Sequence, residues 1–429
     1  MVAEQFPDAG FLPPHGGGGE MSAYTIANNL AQKGVNLTVI TNTSLTGKVF
    51  SEIGCLKVIR VPLLSQRFNG KYPFSDELRF NMQHFDSSRV LEIIKKLKPD
   101  VLHIEHKAAG FVRLRKIAKI PVVLFVRDYW PLCISGEFFN GKRPCFNCTT
   151  VNALKCTVGN GTYFVDVRRT HEIMYNLLLS PQRLFLSKKV LQRKQNLFQE
   201  CDKIVANSEY VKRMLATFLN IPENKLGVIY PPLPSFPYVK RLFQENDKRI
   251  FAYIGWLTHG KGVINLLKAF HKALKTNPNI SLKIFGRGNL ESYIKRYIIL
   301  NGLTGRISFE GFLEQSKFCK TLESVDVVIV PSLWPEPFGR ITSEAMLCGR
   351  PVIINPVGGL TEQVKDGLTG FYANAYDINM FAEKILDVSV VSRSELLVMG
   401  NRARDFVLTK FNNDLQVRAL MKIYEEIRN

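Results

Sequence analysis

Two glutamates eight positions apart, Glu336 and Glu344, lie in the block Pro331-Ser-Leu-Trp-Pro-Glu336-Pro-Phe338-Gly339-Arg340-Ile-Thr-Ser-Glu344-Ala-Met-Leu-Cys-Gly349-Arg-Pro351. A strand-like apolar run, Val327–Val330, leads into it, and Gly339 opens a helix that carries Glu344 about one turn in. Both acids can therefore face one cleft. A helix start offers free N–H groups and a positive dipole end, which suits an anion, and Gly339 lets a ligand approach the backbone closely. A second piece, Tyr253-Ile-Gly255-Trp256-Leu-Thr-His-Gly260-Lys261-Gly262, also follows a strand and places an ammonium near such an anion. A third is Ile284-Phe-Gly286-Arg287-Gly288, and a fourth is Val357-Gly358-Gly359-Leu-Thr-Glu362. Carboxylates bind hydroxyls, whereas glycine amides and cations bind phosphates. The set fits a nucleotide diphosphate bearing a hydroxyl-rich group. The plain alternatives are a solvated loop acid at Glu336, a dipole-favoured helix-start acid at Glu344 and an exposed lysine at Lys261.

These residues need parallel strands ending at one edge. In the first half the strand candidates are Leu37–Thr41, Val58–Val61, Val101–Ile104, Val122–Val126, Lys203–Ala206 and Gly227–Ile229, alternating with helices such as Met21–Lys33 and Ser87–Leu97. The second half repeats the pattern with strands Ile250–Ile254, Ser281–Phe285, Arg306–Glu310, Val327–Val330, Pro351–Ile354 and Gly370–Tyr372. Its helices are Gly262–Thr276, Leu290–Leu300 and Ile341–Cys348, and a helix near Asp414–Arg428 ends the chain. Short apolar strands separated by helices predict parallel sheets covered on both faces. Four prolines between Pro231 and Pro237 break any regular element there. The expected fold is α/β, with two Rossmann-like doubly wound domains facing a central cleft: an acceptor-side domain over 1–235, a linker over 236–248, a donor domain over 249–410 and a crossing helix over 411–429. Ligands in such sheets bind beyond the carboxyl ends of the strands.

With 429 residues, 46% of them hydrophobic and 22% charged, the chain is long enough for two cores and unlike disordered or fibrous sequences. No apolar run approaches the ~20 residues of a membrane-spanning helix. Glu4 and Asp8, with no early Lys or Arg, make the start unlike a secretory signal. A cytoplasmic protein with reduced cysteines is expected. The net charge of +20 is uneven, +14 in residues 1–240 and +6 in the remainder. Colloidal solubility and an anionic partner explain that equally well. Residues Tyr175–Lys203 mix Leu and Phe with Arg183, Lys188, Lys189, Arg193, Lys194 and Lys203. Such a stretch fits an anionic membrane surface, with the protein peripheral to it; packing in the core is an equal reading. Nucleic acid is not expected, because no motif for it accompanies the charge. Cys145-x2-Cys148 has metal-knuckle spacing, and Cys133 and Cys156 complete a set for a structural zinc in an insertion over about 133–156. The alternative is four reduced thiols in a loop.

Over nearly its whole length the chain resembles the retaining glycosyltransferases of family 4, with the GT-B fold. The resemblance rests on the E-x7-E pair Glu336 and Glu344 with its flanking Pro-Ser, Phe-Gly and Gly-x-Pro, and on Lys261. It rests further on Pro13-Pro14-His15-Gly16-Gly17-Gly18-Gly19-Glu20, Ala206-Asn-Ser208-Glu-Tyr-Val-Lys and Val228-Ile-Tyr-Pro-Pro232. The resemblance implies that Glu336 holds donor-sugar hydroxyls, Glu344 the ribose and Lys261 the diphosphate. It places Gly255, Trp256, Gly286, Arg287, Phe338, Gly339 and Arg340 around the donor, and His15, Gly17 and Gly18 on the acceptor side. Two positions depart from the family pattern. Trp256 stands where an Arg is usual, leaving Arg287 or Arg340 to replace it. Arg127, before Asp128, stands where a His is usual near the reaction centre. An arginine stays protonated and is no base; it binds an anion, or pairs structurally with Asp128 or Glu105.

The activity so implied is transfer of a sugar from a nucleotide donor to a glycan or lipid-linked acceptor hydroxyl in polysaccharide or glycolipid assembly. Stabilisation of the leaving diphosphate is then the main catalytic contribution. The chain contains no Asp-x-Asp, so no catalytic metal cofactor is expected. The competing reading is a catalytically weak sugar-nucleotide-binding subunit of a glycan-assembly complex.

Overall fold

The computed structural model describes residues 1–3, 6, 18–42, 50–61, 75–133, 138–139, 144–145, 180–239 and 248–429. In the first domain the strands are β1 (Thr38–Asn42), β2 (Phe50–Ile53), β3 (Leu56–Val61), β4 (Leu102–Ile104), β5 (Val122–Val126), β6 (Lys203–Ala206) and β7 (Leu226–Val228). Val2 bridges in parallel to both Ile40 and Ile104, joining the β1-β3-β2 and β4-β5-β6-β7 ladders. Among the named strands of this domain the pairings are parallel except β2–β3, an antiparallel hairpin turned at Gly54. Its strand β2 was not read from the sequence, because Phe50-Ser-Glu-Ile is half-exposed and carries no apolar run. All five residues of β5 are buried, as a strand with helices on both faces requires.

The helices of this domain are α1 (Gly18–Gln32), α2 (Ser75–Leu97), α3 (Leu114–Ala118), α4 (Ser180–Glu200) and α5 (Glu209–Leu219). Helix α2 begins twelve residues before the expected Ser87. Its first turns bury polar Gln83 and Asp86, which hides the apolar period. Gln83 is used inside: its Oε1 accepts the Gly110 N–H at 2.7 Å.

The second domain contains β8 (Arg249–Ile254), β9 (Ile280–Phe285), β10 (Ile307–Gly311), β11 (Val327–Val330), β12 (Val352–Ile354) and β13 (Gly370–Tyr372). The sheet order is β10-β9-β8-β11-β12-β13, parallel throughout. From β8 the chain winds outward through β9 and β10, then returns to place β11 beside β8. The seam between β8 and β11 is thus the point where winding reverses, the place where open α/β sheets leave a crevice. The covering helices are α6 (Val263–Thr276), α7 (Glu291–Leu300), α8 (Phe318–Leu322), α9 (Arg340–Leu347), α10 (Ile378–Val390) and α11 (Arg393–Lys410). Helix α6 buries Val263, Leu266, Leu267, Phe270 and Ala273, the i, i+3, i+4, i+7 stripe of a helix lying on a sheet. Ser392 and Glu395 form a capping box at the start of α11.

The last helix, α12 (Asn413–Arg428), leaves the second domain and packs on the first. Its Val417, Leu420 and Ile423 are buried with Val123, Phe125 and Val205 of the first sheet. Each such side chain contributes about 1.5–3 kcal/mol on burial. Gly227 of β7 makes room for it, since a Cβ there would lie 3.2 Å from Ile423 Cδ1. The proline-rich crossing is clipped to α12 by two bonds between Leu233 and Asn413 and by Gln416 Oε1 accepting from Tyr230 N–H. No helix among the described residues is long and apolar enough to cross a membrane.

Candidate active site

Lys261 follows β8 and Glu336 follows β11, so the two residues rise from the strands on either side of the reversal seam. Their loops are fastened to each other. The Gly260 carbonyl accepts from both Leu333 N–H (2.8 Å) and Trp334 N–H (3.2 Å). Gly262 has φ +73°, and a Cβ there would lie 1.9 Å from the Pro331 carbonyl oxygen, so only glycine lets the loops close. Lys261 Nζ donates to Glu336 Oε1 at 2.6 Å, and Ser332 Oγ donates to the same oxygen at 2.5 Å. The Glu336 side chain is 5% exposed and that of Lys261 27%. Among the described residues Oε2 of Glu336 has no protein partner, which leaves an acceptor for a ligand hydroxyl. Lys261 also lies over the Trp334 ring at 5.0 Å. Asn355 steadies Ser332 by donating to its carbonyl.

Glu344 is the fifth residue of α9, and its Oε1 pairs with Arg340 Nη2 at 2.8 Å, an i,i+4 contact. Burial pushes its carboxyl up, and Arg340 opposes that shift. Arg340 is therefore already engaged. Gly339, at φ +83°, caps the helix start. The Phe338 side chain turns the other way: it is 2% exposed and packs against Tyr230 and Phe411. Its ring is a core element, a correction to its placing among the donor contacts; the reason is that the ring is enclosed by the aromatic side chains of Tyr230 and Phe411, which come from distant segments.

Gly255, Trp256, Gly286 and Arg287 gather where β8 and β9 end. A Cβ on Gly286 (φ +152°) would lie 1.9 Å from the Gly255 carbonyl oxygen. Trp256 is 53% exposed. The Arg287 guanidinium lies over the Trp256 ring at 5.1 Å and over Phe312 at 4.7 Å. No carboxylate among the described residues pairs with it. Of the two arginines named as replacements for the missing family cation, Arg287 is the one whose charge is uncommitted.

On the facing domain, Arg127 follows β5 directly and is held by Glu105 in a two-pronged ion pair, with both bonds at 2.9 Å. Both side chains are under a tenth exposed. Burial alone would raise the Glu105 carboxyl, but Arg127 and His103 together hold it well below the usual carboxylate range. Arg127 is thus spent on Glu105, the structural pairing, and not offered to a ligand. Its backbone carbonyl accepts from Asn207 Nδ2. Asp128 Oδ1 accepts the Trp130 N–H at 2.8 Å, tying the turn after the strand. Gly18 and Gly19 open α1 above Arg127, whose Cδ would lie 3.9 Å from a Cβ on Gly19. His15 and Gly17 lie outside the described residues, as do Cys148 and Cys156. Cys133 and Cys145 are half-buried and in no disulfide, and no group of three or more His, Cys, Asp or Glu poised for a metal occurs among the described residues.

Two residues of this arrangement were not singled out from the sequence: Ser332, which donates to Glu336, and Trp334, whose ring meets Tyr129 of the facing domain at 6.2 Å, edge to face. Ser332 and Trp334 lie inside the block around Glu336, and that nearness was the available signal.

Comparison with known proteins fits this architecture. Residues 16–234 match the family described as Glycosyltransferase Family 4, and residues 238–405 match Glycosyl transferases group 1. The chain belongs to this family. It is 28% identical over 243 residues to an uncharacterized glycosyltransferase of Methanocaldococcus jannaschii, covering 53% of this chain and 60% of that protein. A second relative from the same organism is also matched over only 60% of its length. A 42.6 kDa protein in the cps region of Klebsiella pneumoniae is 24% identical over 395 residues, 89% of this chain and 90% of that one. Among solved structures, Anabaena HepE in complex with UDP-glucose superposes with TM-score 0.64 at 18% identity, covering 98% of each chain. The fold is GT-B.

Proposed function

We propose that this chain transfers a sugar from a nucleotide-diphosphate donor to an acceptor hydroxyl with retention of configuration. The observation that carries the reading is the Lys261–Glu336 pair at the reversal seam of the second sheet. In the reaction the bond from the anomeric carbon to the diphosphate oxygen breaks and its electron pair leaves with the diphosphate. The acceptor oxygen then bonds to the same face, and its proton passes to the departing diphosphate. Lys261 and the N–H groups at the start of α9 stabilise the growing charge on the leaving group. Glu336 Oε2 takes a sugar hydroxyl and Glu344 takes ribose hydroxyls. HepE, which shares the fold, is known with UDP-glucose, and this supports a nucleotide-sugar donor. The likeness to a protein of a cps region supports a glycan or lipid-linked acceptor.

A second reading, donor binding with little transfer, is favoured by one feature: Arg127 is locked to Glu105 where the family usually carries a histidine. The two are separated by donor turnover. A thermal-shift panel of nucleotide sugars identifies the donor by mass-action stabilisation. Hydrolysis of that donor, abolished in Glu336→Ala, supports transfer; binding with no turnover in the presence of acceptor extracts supports the second reading. Helix α4 exposes Phe185, Lys188, Lys189 and Arg193, with Lys189 over the Phe185 ring at 4.4 Å. We assign this face to an anionic membrane near a lipid-linked acceptor. Liposome binding that needs anionic lipid and falls with salt tests it.

A further inference from the structure

Glu362 belongs to the second domain, at the end of the short turn Gly358–Glu362 that follows β12, yet its carboxylate is used by the first domain. Oε1 accepts from Tyr210 N–H at 2.7 Å, and Oε2 accepts from Glu209 N–H and Tyr230 OH, both at 3.0 Å. Glu209 and Tyr210 are the first two residues of α5. The helix's own cap, Ser208 Oγ, reaches only the third amide, Val211 N–H. The two amides it leaves over are satisfied by an acid from the opposite domain, placed where the helix dipole favours negative charge. Lys410 of α11 donates to the Glu362 carbonyl at 2.6 Å and holds the turn from behind.

The other end of the same turn touches the donor acid. Gly359 N–H donates to the Glu336 carbonyl at 2.7 Å, and a Cβ on Gly358 would lie 2.3 Å from that oxygen. A second path arrives at the same helix turn: Lys261 Nζ lies over Trp334, Trp334 meets Tyr129 at 6.2 Å, and Tyr129 meets Tyr210 at 6.4 Å. Both members of the Lys261–Glu336 pair are therefore connected, by separate chains of contact, to the first turn of α5.

We propose that Glu362 is a positioning residue, a latch that clamps α5 of the first domain and through Gly358–Gly359 sets Glu336 for transfer. The proposal rests on the donor-site reading above. It implies that opening the cleft strips α5 of two amide partners and releases the turn that backs Glu336, so closure and correct placement of the acid occur together.

The test uses the full chain and the variants Glu362→Ala and Glu362→Gln. In the ligand-free protein, hydrogen exchange at the Glu209 and Tyr210 amides should speed up by about tenfold or more in Glu362→Ala, while the interior amides of α5 stay protected. Small-angle scattering should show a wider interdomain separation. With the donor identified by the thermal-shift panel, hydrolysis kcat should fall by roughly tenfold while donor KM stays within about twofold, because the donor residues all sit in the second domain. Glu362→Gln keeps an acceptor oxygen and should recover part of both effects. Unchanged exchange at Glu209 and Tyr210 overturns the latch; faster exchange with unaltered kcat overturns the positioning role. If the wild-type chain binds no nucleotide sugar at all, the donor-site reading fails, and the ligand-free exchange experiment still decides whether the latch exists.

Discussion

Lys261 Nζ sits 2.6 Å from Glu336 Oε1, although 75 positions separate the two residues. The cation proposed for the departing diphosphate is therefore neutralised, before any ligand arrives, by the acid proposed to hold the sugar. This arrangement keeps a nearly buried carboxylate from standing uncompensated, which is costly in a low-dielectric setting. On the proposed reading, phosphate oxygens share or take over the ammonium while Oε2 of Glu336, unused by the protein among the described residues, accepts a sugar hydroxyl.

Lys261→Ala should lower the kcat of donor hydrolysis by about two to three orders of magnitude, the usual loss when one donor to a developing oxyanion is removed. Glu336→Ala should cost a similar factor. The double variant should be far from the product of the two, because each single change also strands the other partner. Steady-state kinetics on the three variants measures this, and multiplicative effects would show that the pair does not act as a unit.

Gly358→Ala should damage the site without touching a ligand. The backbone there has φ +59°, and the added Cβ would meet the Glu336 carbonyl oxygen and amide nitrogen at 2.3 and 2.6 Å. Backbone has little freedom to yield, so a loss of about 1–3 kcal/mol in denaturant unfolding is expected. Donor affinity should drop with it.

Arg287→Ala tests whether the guanidinium stacked between Trp256 and Phe312 faces the nucleotide. The Kd for the nucleoside diphosphate should rise about tenfold at low ionic strength, and the gap should narrow as salt screens this exposed charge. Equal Kd values by calorimetry at low salt would remove Arg287 from the donor site.

His103 predicts a pH dependence of stability. Its Nδ1 is 2.5 Å from Tyr424 OH on α12, and its Nε2 is 3.2 Å from Glu105. These bonds suit a neutral ring that donates to Glu105 and accepts from Tyr424. Burial lowers the His103 pKa, with Glu105 opposing. The folded state therefore binds its proton less readily than the unfolded chain, whose histidine titrates near about 6.5. Between the lowered value and that one the unfolded state carries more protons, so stability rises with pH and is lost on acidification through the window. Melting temperatures of wild type and His103→Asn, taken from about pH 7.5 to 5, should diverge at neutral pH and converge in acid. His259 and His271 are lowered too but remain in both proteins. Tyr424→Phe should cost about 1 kcal/mol and loosen α12.

The alternation of short apolar runs with amphipathic stretches was enough to read two doubly wound halves, and the spacing of Glu336 and Glu344 with Lys261 was enough to propose a donor side. Those features are local: periodicity records which side chains face a sheet, and glycines record where backbone must bend or approach. What local pattern cannot record is which strand ends become neighbours. That Lys261 bonds Glu336 follows from β8 lying beside β11, a matter of winding order. That Arg127 is consumed by Glu105 follows from β4 lying beside β5. Phe338 turns inward because the loop packs on Tyr230 and Phe411, residues 108 and 73 positions away from it. Glu362 read as one more acid at a strand end; only the approach of the two domains makes it the partner of α5. In each case the sequence by itself determined the chemical type of the group and its strand end, whereas contacts between distant segments, stabilised by packing, decided whether that group was free for a ligand or spent on the protein.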